Sequence, residues 1–250
     1  IFAIDADTLA LAWWNVTGCT PTFDAPLVGS DGTVYQLCLN GSVQAWHPNG
    51  DPNVVIGGVK QGKLLWASAS RGWFDIAPFS QIHRAAGATT DRIYLHRINP
   101  GNALSSIPVS AAGPGAMADS VGIWRGPFVV DRAGNALVLN GWEGNFTILG
   151  PDMTTKAFVD VIQSAGAREL NFQLDSDGIL YTQGNNYRLE AWQVTPQLSV
   201  SKLYEVAAPG GGLDQVIAWP GCDVTEGQAL VRVADAGLAT RDGFRGDRSA

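Results

Sequence analysis

The sequence predicts an all-β fold, a β-propeller of four-stranded antiparallel blades, on three observations. A strand–turn–strand pattern returns along the chain, anchored on Gly32, Asp91, Gly134, Gly178 and Gly227 at spacings of 59, 43, 44 and 49 residues. Repeats of that period belong to solenoids, propellers or arrays, and a unit made only of strands selects the propeller. The composition agrees: 30 Gly, 13 Pro and only 16% charged residues suit many short strands joined by tight turns. Further strand signals then complete each unit, so that four antiparallel strands form one blade.

The individual elements follow in order. Ala25–Tyr35 reads as strand, Asp31-Gly32 turn, strand, and Asn40–Gly50 adds a turn and a third strand. Ala88–Tyr94, Gly126–Leu137 and Asn171–Tyr181 repeat the opening pair, with Tyr35, Tyr94, Leu137 and Tyr181 at matching places. After Tyr181, Asn185–Val194 and Val200–Val206 supply third and fourth strands, the last with apolar and polar residues alternating at period two. Ile1–Asp5 and Leu9–Trp14 resemble the third and fourth strands of a unit without the first two. At the other end, Gln215–Trp219 and Gln228–Val233 resemble first and second strands. Two arrangements stay open. Either both chain ends build one blade, closing a ring of about five blades and removing exposed edges, or the chain is an arc of a longer propeller in which Gly237–Thr240 starts a further strand. The propeller is expected over residues 1–240, with 241–250 a polar tail. Gln163–Glu169 is read as a short turn or helix between blades.

Composition narrows the function. A formal charge of −7, with 16 scattered basic residues, disfavours a nucleic-acid partner and a basic membrane surface. No run of 18 apolar residues occurs, so no transmembrane helix is expected. Ile1 stands inside a strand-like run, which reads as a processed product or as the ordered part of something longer. Three cysteines leave two readings: a Cys19–Cys38 disulfide beside a free Cys222, or three buried thiols.

Ala3, Asp5, Thr8 and Trp13 in the segment 2–13, and the segment Ala45–Gly50, resemble the pyrroloquinoline-quinone-like propeller repeat. Gly62–Trp66 matches its last part. Leu9 stands where the family prefers Gly, and Gln193 replaces its Asp. The resemblance implies that Trp13, Trp66 and Tyr204 dock one blade on the next, each indole donating its N–H to a backbone carbonyl, a role suited to a large aromatic with one polar handle. The family includes quinone-dependent dehydrogenases, which clamp the quinone between an indole and, in many members, a disulfide of adjacent cysteines, near a Ca²⁺ site. No two cysteines are adjacent here, so no cofactor is expected.

Other candidate chemistry is sparse. His47, His83 and His96 are read as structural or surface residues. Asp175-Ser-Asp-Gly178 suits a hairpin turn better than a calcium loop, because the apolar Ile179-Leu-Tyr181 follows where ligands are needed. Asn15, Asn40 and Asn145 head glycosylation sequons. The connection Ser68–Thr90 is longer than its counterparts and carries Trp73, Phe74, Phe79, His83 and Arg84. Aromatics with arginine on a long loop are the chemistry of interface centres. The expected function is a non-catalytic, extracytoplasmic (periplasmic, secreted or cell-surface) protein-binding or scaffolding module that uses this connection. The alternatives are a quinoprotein-type oxidoreductase or a fragment of one, and a glycan-binding propeller stacking sugars on Trp142 or Trp219.

Overall fold

The computed structural model describes residues 1–22, 25–74, 80–99, 103–120, 128–140, 145–160, 172–174, 178–184, 188–195, 198–207, 213–216, 231–233 and 237–239. All regular structure among them is strand, as the composition predicts. The chain divides into two compact units, Ile1–Arg125 and Gly126–Ala250.

The first unit holds β1 (Phe2–Ile4), β2 (Leu11–Trp14), β3 (Leu27–Val28), β4 (Val34–Leu37), β5 (Val43–Trp46), β6 (Asp51–Ile56), β7 (Val59–Gln61) and β8 (Leu64–Ala67). It continues with β9 (Trp73–Phe74), β10 (Gln81–His83), β11 (Asp91–Asn99), β12 (Ala103–Ser110), β13 (Gly113–Pro114) and β14 (Ala118–Asp119). Strands β3, β4, β5 and β8 form an antiparallel four-stranded blade. The hairpin β6–β7 is inserted between its third and fourth strands and pairs elsewhere, β7 running parallel to β2. The resulting sheet has the order β1-β2-β7-β6. A third sheet runs β10-β11-β12-β13, with β9 added to β11 and β14 to β12.

The second unit holds β15 (Phe128–Val130), β16 (Ala136–Asn140), β17 (Asn145–Leu149) and β18 (Thr155–Asp160), a four-stranded meander. Next come β19 (Phe172–Leu174), β20 (Ile179–Gly184), β21 (Arg188–Val194) and β22 (Val200–Ala207), a second meander. Last are β23 (Leu213–Val216), β24 (Val231–Val233) and β25 (Gly237–Ala239), a three-stranded sheet.

Register shows the repeat directly. Across successive strands the matched rows are Leu27–Tyr35–Ala45–Trp66, Gln81–Tyr94–Ser106–Ala118, Val129–Leu137–Ile148–Ala157 and Gln173–Tyr181–Ala191–Tyr204. Tyr35, Tyr94, Leu137 and Tyr181 thus occupy one position on each second strand, and all four are buried. The turns before them are anchored by Gly32, Gly134 and Gly178, whose φ values of 83°, 85° and 77° are open to glycine at little steric cost.

Each core lies between neighbouring sheets. In the first unit Tyr35, Leu37, Val43 and Ala45 pack with Ile93, Leu95, Ile107 and Val109. In the second, Val129, Leu137, Phe146 and Ile148 pack with Leu180 and Val194. These pairings join one meander to the next, which is how propeller blades bury their faces.

Among the described residues β1 pairs with β2, and β2 takes the inserted β7 on its other side. The C-terminal pair, β23–β24, takes β25 as its third strand. The connection 68–90 is not one continuous loop, because β9 and β10 lie within it and both pair with β11. Gln163–Glu169, Asp175–Asp177 and the tail 241–250 lie outside the described residues, as do Cys222, Trp142 and Trp219.

Candidate functional site

The candidate site is built on the β10–β11 hairpin and the β3–β4 turn beside it. Gln81–His83 supply the first strand of the third sheet, and Arg84 follows where the chain leaves it. Asp91 opens β11 and is buried. Its Oδ1 accepts Arg84 Nε–H at 2.9 Å and Ser30 Oγ–H at 2.9 Å, while its Oδ2 accepts the Ser30 amide at 2.8 Å. One carboxylate therefore ties the β3–β4 turn of the first blade to the β10–β11 hairpin. Among the residues expected at a partner contact, Arg84 is committed inside the chain, with its side chain 39% exposed.

Asp31 and Tyr35 complete the cluster. A Cβ placed on Gly29 would lie 2.9 Å from Asp91 Oδ2, 3.1 Å from Asp31 Oδ1 and 3.1 Å from Tyr35 Cε2, so three side chains converge on a position that only glycine leaves open. Burial pushes the Asp31 carboxyl up, but the Thr33 amide and hydroxyl and the Arg84 charge outweigh it and hold the group below the usual carboxylate range. Burial, then the charges of Asp31 and Asp91, push the Tyr35 phenol up to about 12. That hydroxyl finds no hydrogen-bond partner among the described residues. The phenol stays neutral at any physiological pH and leaves one buried donor beside two carboxylates.

The other named residues are placed as follows. Trp73 and Phe74 form β9, hydrogen-bonded to β11 opposite Asn99 and Arg97, and Phe79 lies outside the described residues. His83 faces Arg92 in register, and its Nε2 is buried with no hydrogen bond among the described residues. His47 accepts the Asn49 amide in the turn after β5, and His96 lies buried on β11. The three histidines stand on separate elements. Among the described residues no group of three or more His, Cys, Asp or Glu side chains is arranged to hold a metal ion.

Trp13 is fully buried and donates its indole N–H to the Pro48 carbonyl at 2.6 Å. Its ring is enclosed by two glycines, because a Cβ on Gly50 or Gly62 would come within 3.1 Å of it. Trp66 donates to the Ser110 carbonyl at 2.8 Å, from the fourth strand of one sheet to the third strand of the next. Tyr204 sits at the same row position as Trp66 in the β19–β22 blade and is half-buried. Cys19 and Cys38 are joined in a disulfide with their Cα atoms 5.9 Å apart. Ser30, Asp31, Tyr35 and Asp91 were not singled out from the sequence as a site. Their contacts span 61 residues, and no local pattern reports them.

No family model matches the sequence, and no curated protein matches it. Among solved structures, a protein of unknown function from Bacteroides caccae is similar over 82% of this chain and 68% of its own, at 12% identity and a TM-score of 0.44. The Dos1 propeller is similar over 93% of this chain and 71% of its own, at 7% identity and a TM-score of 0.48. The β-propeller domain of Cps50 (Swd1) from Myceliophteria thermophila is similar over 95% of this chain and 77% of its own, at 10% identity and a TM-score of 0.56. With the blade registers above, this last likeness gives the chain the β-propeller fold.

Proposed function

We propose that the protein is a non-catalytic, extracytoplasmic β-propeller that binds another protein and serves as a scaffold in a larger assembly. The observation that carries the reading is the enlargement of one sheet. The β15–β18 and β19–β22 meanders have four strands, whereas the sheet around β11 and β12 takes on β9 and β14 as well. Strand β9 is Trp73–Phe74, within the long connection. Insertions in a repeat architecture map to loops on one face, often the binding face, and aromatics there suit an interface centre.

Three further points belong to this reading. The Cys19–Cys38 bridge supports an oxidising compartment outside the cytoplasm. The pyrroloquinoline-quinone-like repeat is supported by the indole bonds of Trp13 and Trp66, which are of the kind that family uses between blades. No redox cofactor takes part. Robust dye-reduction turnover after reconstitution with pyrroloquinoline quinone and Ca²⁺ would refute that part of the reading.

The test of binding is the double change Trp73→Ala and Phe79→Ala, which leaves the Arg84–Asp91 pair intact. The assembly is isolated from the native source after mild cross-linking, and the variant is compared with the parent. A contact role predicts loss of the stoichiometric partner with the melting temperature nearly unchanged. A large fall in melting temperature with the assembly retained means that the segment is a structural cover, and the contact reading fails.

A further inference from the structure

Three segments carry the acceptor pattern for an N-linked sugar: Asn15-Val-Thr17, Asn40-Gly-Ser42 and Asn145-Phe-Thr147. A glycan is bulky and stays in solvent, so the fold decides which asparagine has room for one. Asn15 is half-buried, and both ends of its amide are engaged. Its Nδ2 donates to the Gly62 carbonyl at 2.8 Å, and its Oδ1 accepts the Val16 amide at 2.7 Å. The surroundings are closed, since a Cβ added at Gly62 would lie 3.0 Å from Asn15 Cβ and 3.1 Å from the Trp13 ring. Asn145 opens β17 and is paired with Asn140 on one side and Asp160 on the other.

Asn40 is placed differently. It stands at the tip of the β4–β5 hairpin and is exposed. The Gly41 N–H donates to the Cys38 carbonyl at 2.8 Å, and the Cys38 N–H donates to the Ser42 carbonyl at 3.0 Å, so the turn is closed by its own backbone. Asn40 Oδ1 accepts the Ser42 amide at 3.1 Å and the Ser42 hydroxyl at 2.7 Å. Among the described residues Asn40 Nδ2 donates to nothing. A substituent on that nitrogen leaves both bonds to Oδ1 in place.

The amide nitrogen is surplus to the turn. Asp152 Oδ1 accepts the Thr154 amide at 3.2 Å and the Thr154 hydroxyl at 2.8 Å, the same two bonds at the same spacing. A carboxylate therefore does this turn chemistry as well as an amide does. The neighbouring covalent bond is a second observation. Cys38, two residues before Asn40, is joined to Cys19. Such bridges form in the oxidising compartments that exported chains enter, and an acceptor sequon in a surface loop belongs to the same class of protein.

We propose that Asn40 is an N-glycosylation site and that Asn15 is left unmodified. The sugar donor is of the class of oligosaccharides carried on a polyprenyl diphosphate. The bond from the anomeric carbon to the diphosphate oxygen breaks, and a bond from that carbon to Asn40 Nδ2 forms. The amide gives up one proton to solvent, the polyprenyl diphosphate is the leaving group, and nothing is oxidised or reduced. The Ser70 hydroxyl donates to the Asn40 carbonyl, so the sugar is attached beside the segment that leads into β9. Modification of Asn40 presupposes the extracytoplasmic reading above and is independent of the contact proposed for residues 68–90.

The test maps the protein isolated from its native source. Free thiols are alkylated at lysis with one reagent, and thiols released by reduction are alkylated with a second. Cleavage after aromatic residues then puts Asn15, Asn40 and Asn145 on separate peptides for mass spectrometry. Expected are hexose and N-acetylhexosamine masses on the Asn40 peptide, a bare Asn15 peptide, and the second label on Cys19 and Cys38. A Ser42→Ala protein made in the same cells should lose the Asn40 glycan and keep the disulfide. If that variant is not recovered, the native map decides alone. A bare Asn40 overturns the proposal, and the thiols separate two causes. With Cys19 and Cys38 oxidised, only the site is wrong; with both free at lysis, the extracytoplasmic reading falls too. A glycan on Asn15, or one that persists on Asn40 in Ser42→Ala, overturns it equally.

Discussion

Replacing Asp91 by alanine removes the acceptor that joins the β3–β4 turn to the β10–β11 hairpin, and its cost can be worked from the contacts. The Ser30 amide and hydroxyl both lose their acceptor in a part-buried place. An unsatisfied buried donor costs about 1–3 kcal/mol. Arg84 also loses its partner, but at 39% exposure it recovers water, and such a pair is worth about 0–1 kcal/mol. The expected loss is therefore about 2–4 kcal/mol. Asp91→Asn keeps an acceptor for the Ser30 amide and costs less. Arg84→Met leaves the buried carboxylate held only by Ser30 and costs about 1–2 kcal/mol, the low end of a charge-assisted bond because of the solvent around the guanidinium. The four proteins of the cycle are unfolded in urea and followed by circular dichroism and fluorescence, with midpoints compared at constant slope. In the Asp91→Ala background Arg84→Met is expected to cost close to nothing. The reasoning is refuted if Asp91→Ala costs under about 1 kcal/mol, which is less than one orphaned donor. It is refuted equally if Arg84→Met costs the same in both backgrounds. An Arg84→Met protein of unchanged stability that loses its assembly returns Arg84 to the partner contact.

Other outcomes follow from the same contacts. Trp13→Ala is expected to cost about 3–5 kcal/mol, and Trp66→Phe, which chiefly removes the N–H bond to Ser110, about 1 kcal/mol, both measured by urea unfolding. Leu9, at φ 57° and 78% exposed, is strained with little burial in return, so Leu9→Gly should raise stability by about 0.5–1 kcal/mol. Met153→Gly, at φ 61° but buried, should lower it; equal signs for the two changes in thermal scans would reject this account. Reducing the Cys19–Cys38 bridge, which spans 19 residues, should cost about 3 kcal/mol in urea midpoints measured with and without reductant. Tyr35 keeps its proton more tightly folded than unfolded, so its contribution is complete below pH 10 and is lost as pH rises through 10 toward about 12. Stability profiles of the parent and Tyr35→Phe from pH 9 to 12 should therefore differ in slope, the variant falling less steeply.

The parts of the fold legible in the sequence were those with a local cause. Glycine at a left-handed turn position announces three of the hairpins, and the large residue three places later, Tyr35, Leu137 or Tyr181, marks the second strand. Trp13 and Trp66 each donate the indole N–H to one backbone carbonyl. The Asp51–Gln61 hairpin had its own signal in Gly57-Gly58, yet its pairing with β2 is parallel and about four dozen residues away in sequence, a distance at which periodicity reports nothing. Strands β9 and β14 have two residues each, too few to show any period. The cluster of Ser30, Asp31, Tyr35 and Asp91 was hidden for the same reason. Each is an ordinary turn or strand residue, and only the packing of two sheets brings them around Gly29.

The matched rows suggest why the blades tolerate such divergence. In one blade the row runs Tyr35–Ala45–Trp66, large around small, and the two rings close over the alanine. In another it runs Leu137–Ile148–Ala157, with the bulk moved to the middle strand. The register and its shift stay in place while the sizes of the row's members change. The same rule bears on the N-terminal hairpin. Ala3 beside Trp13 is the small-then-large half of a row of the Tyr35–Ala45–Trp66 kind. The pairing of a small residue with a large one is thus shared by three hairpins, Ala3 with Trp13, Ala45 with Trp66 and Ala191 with Tyr204.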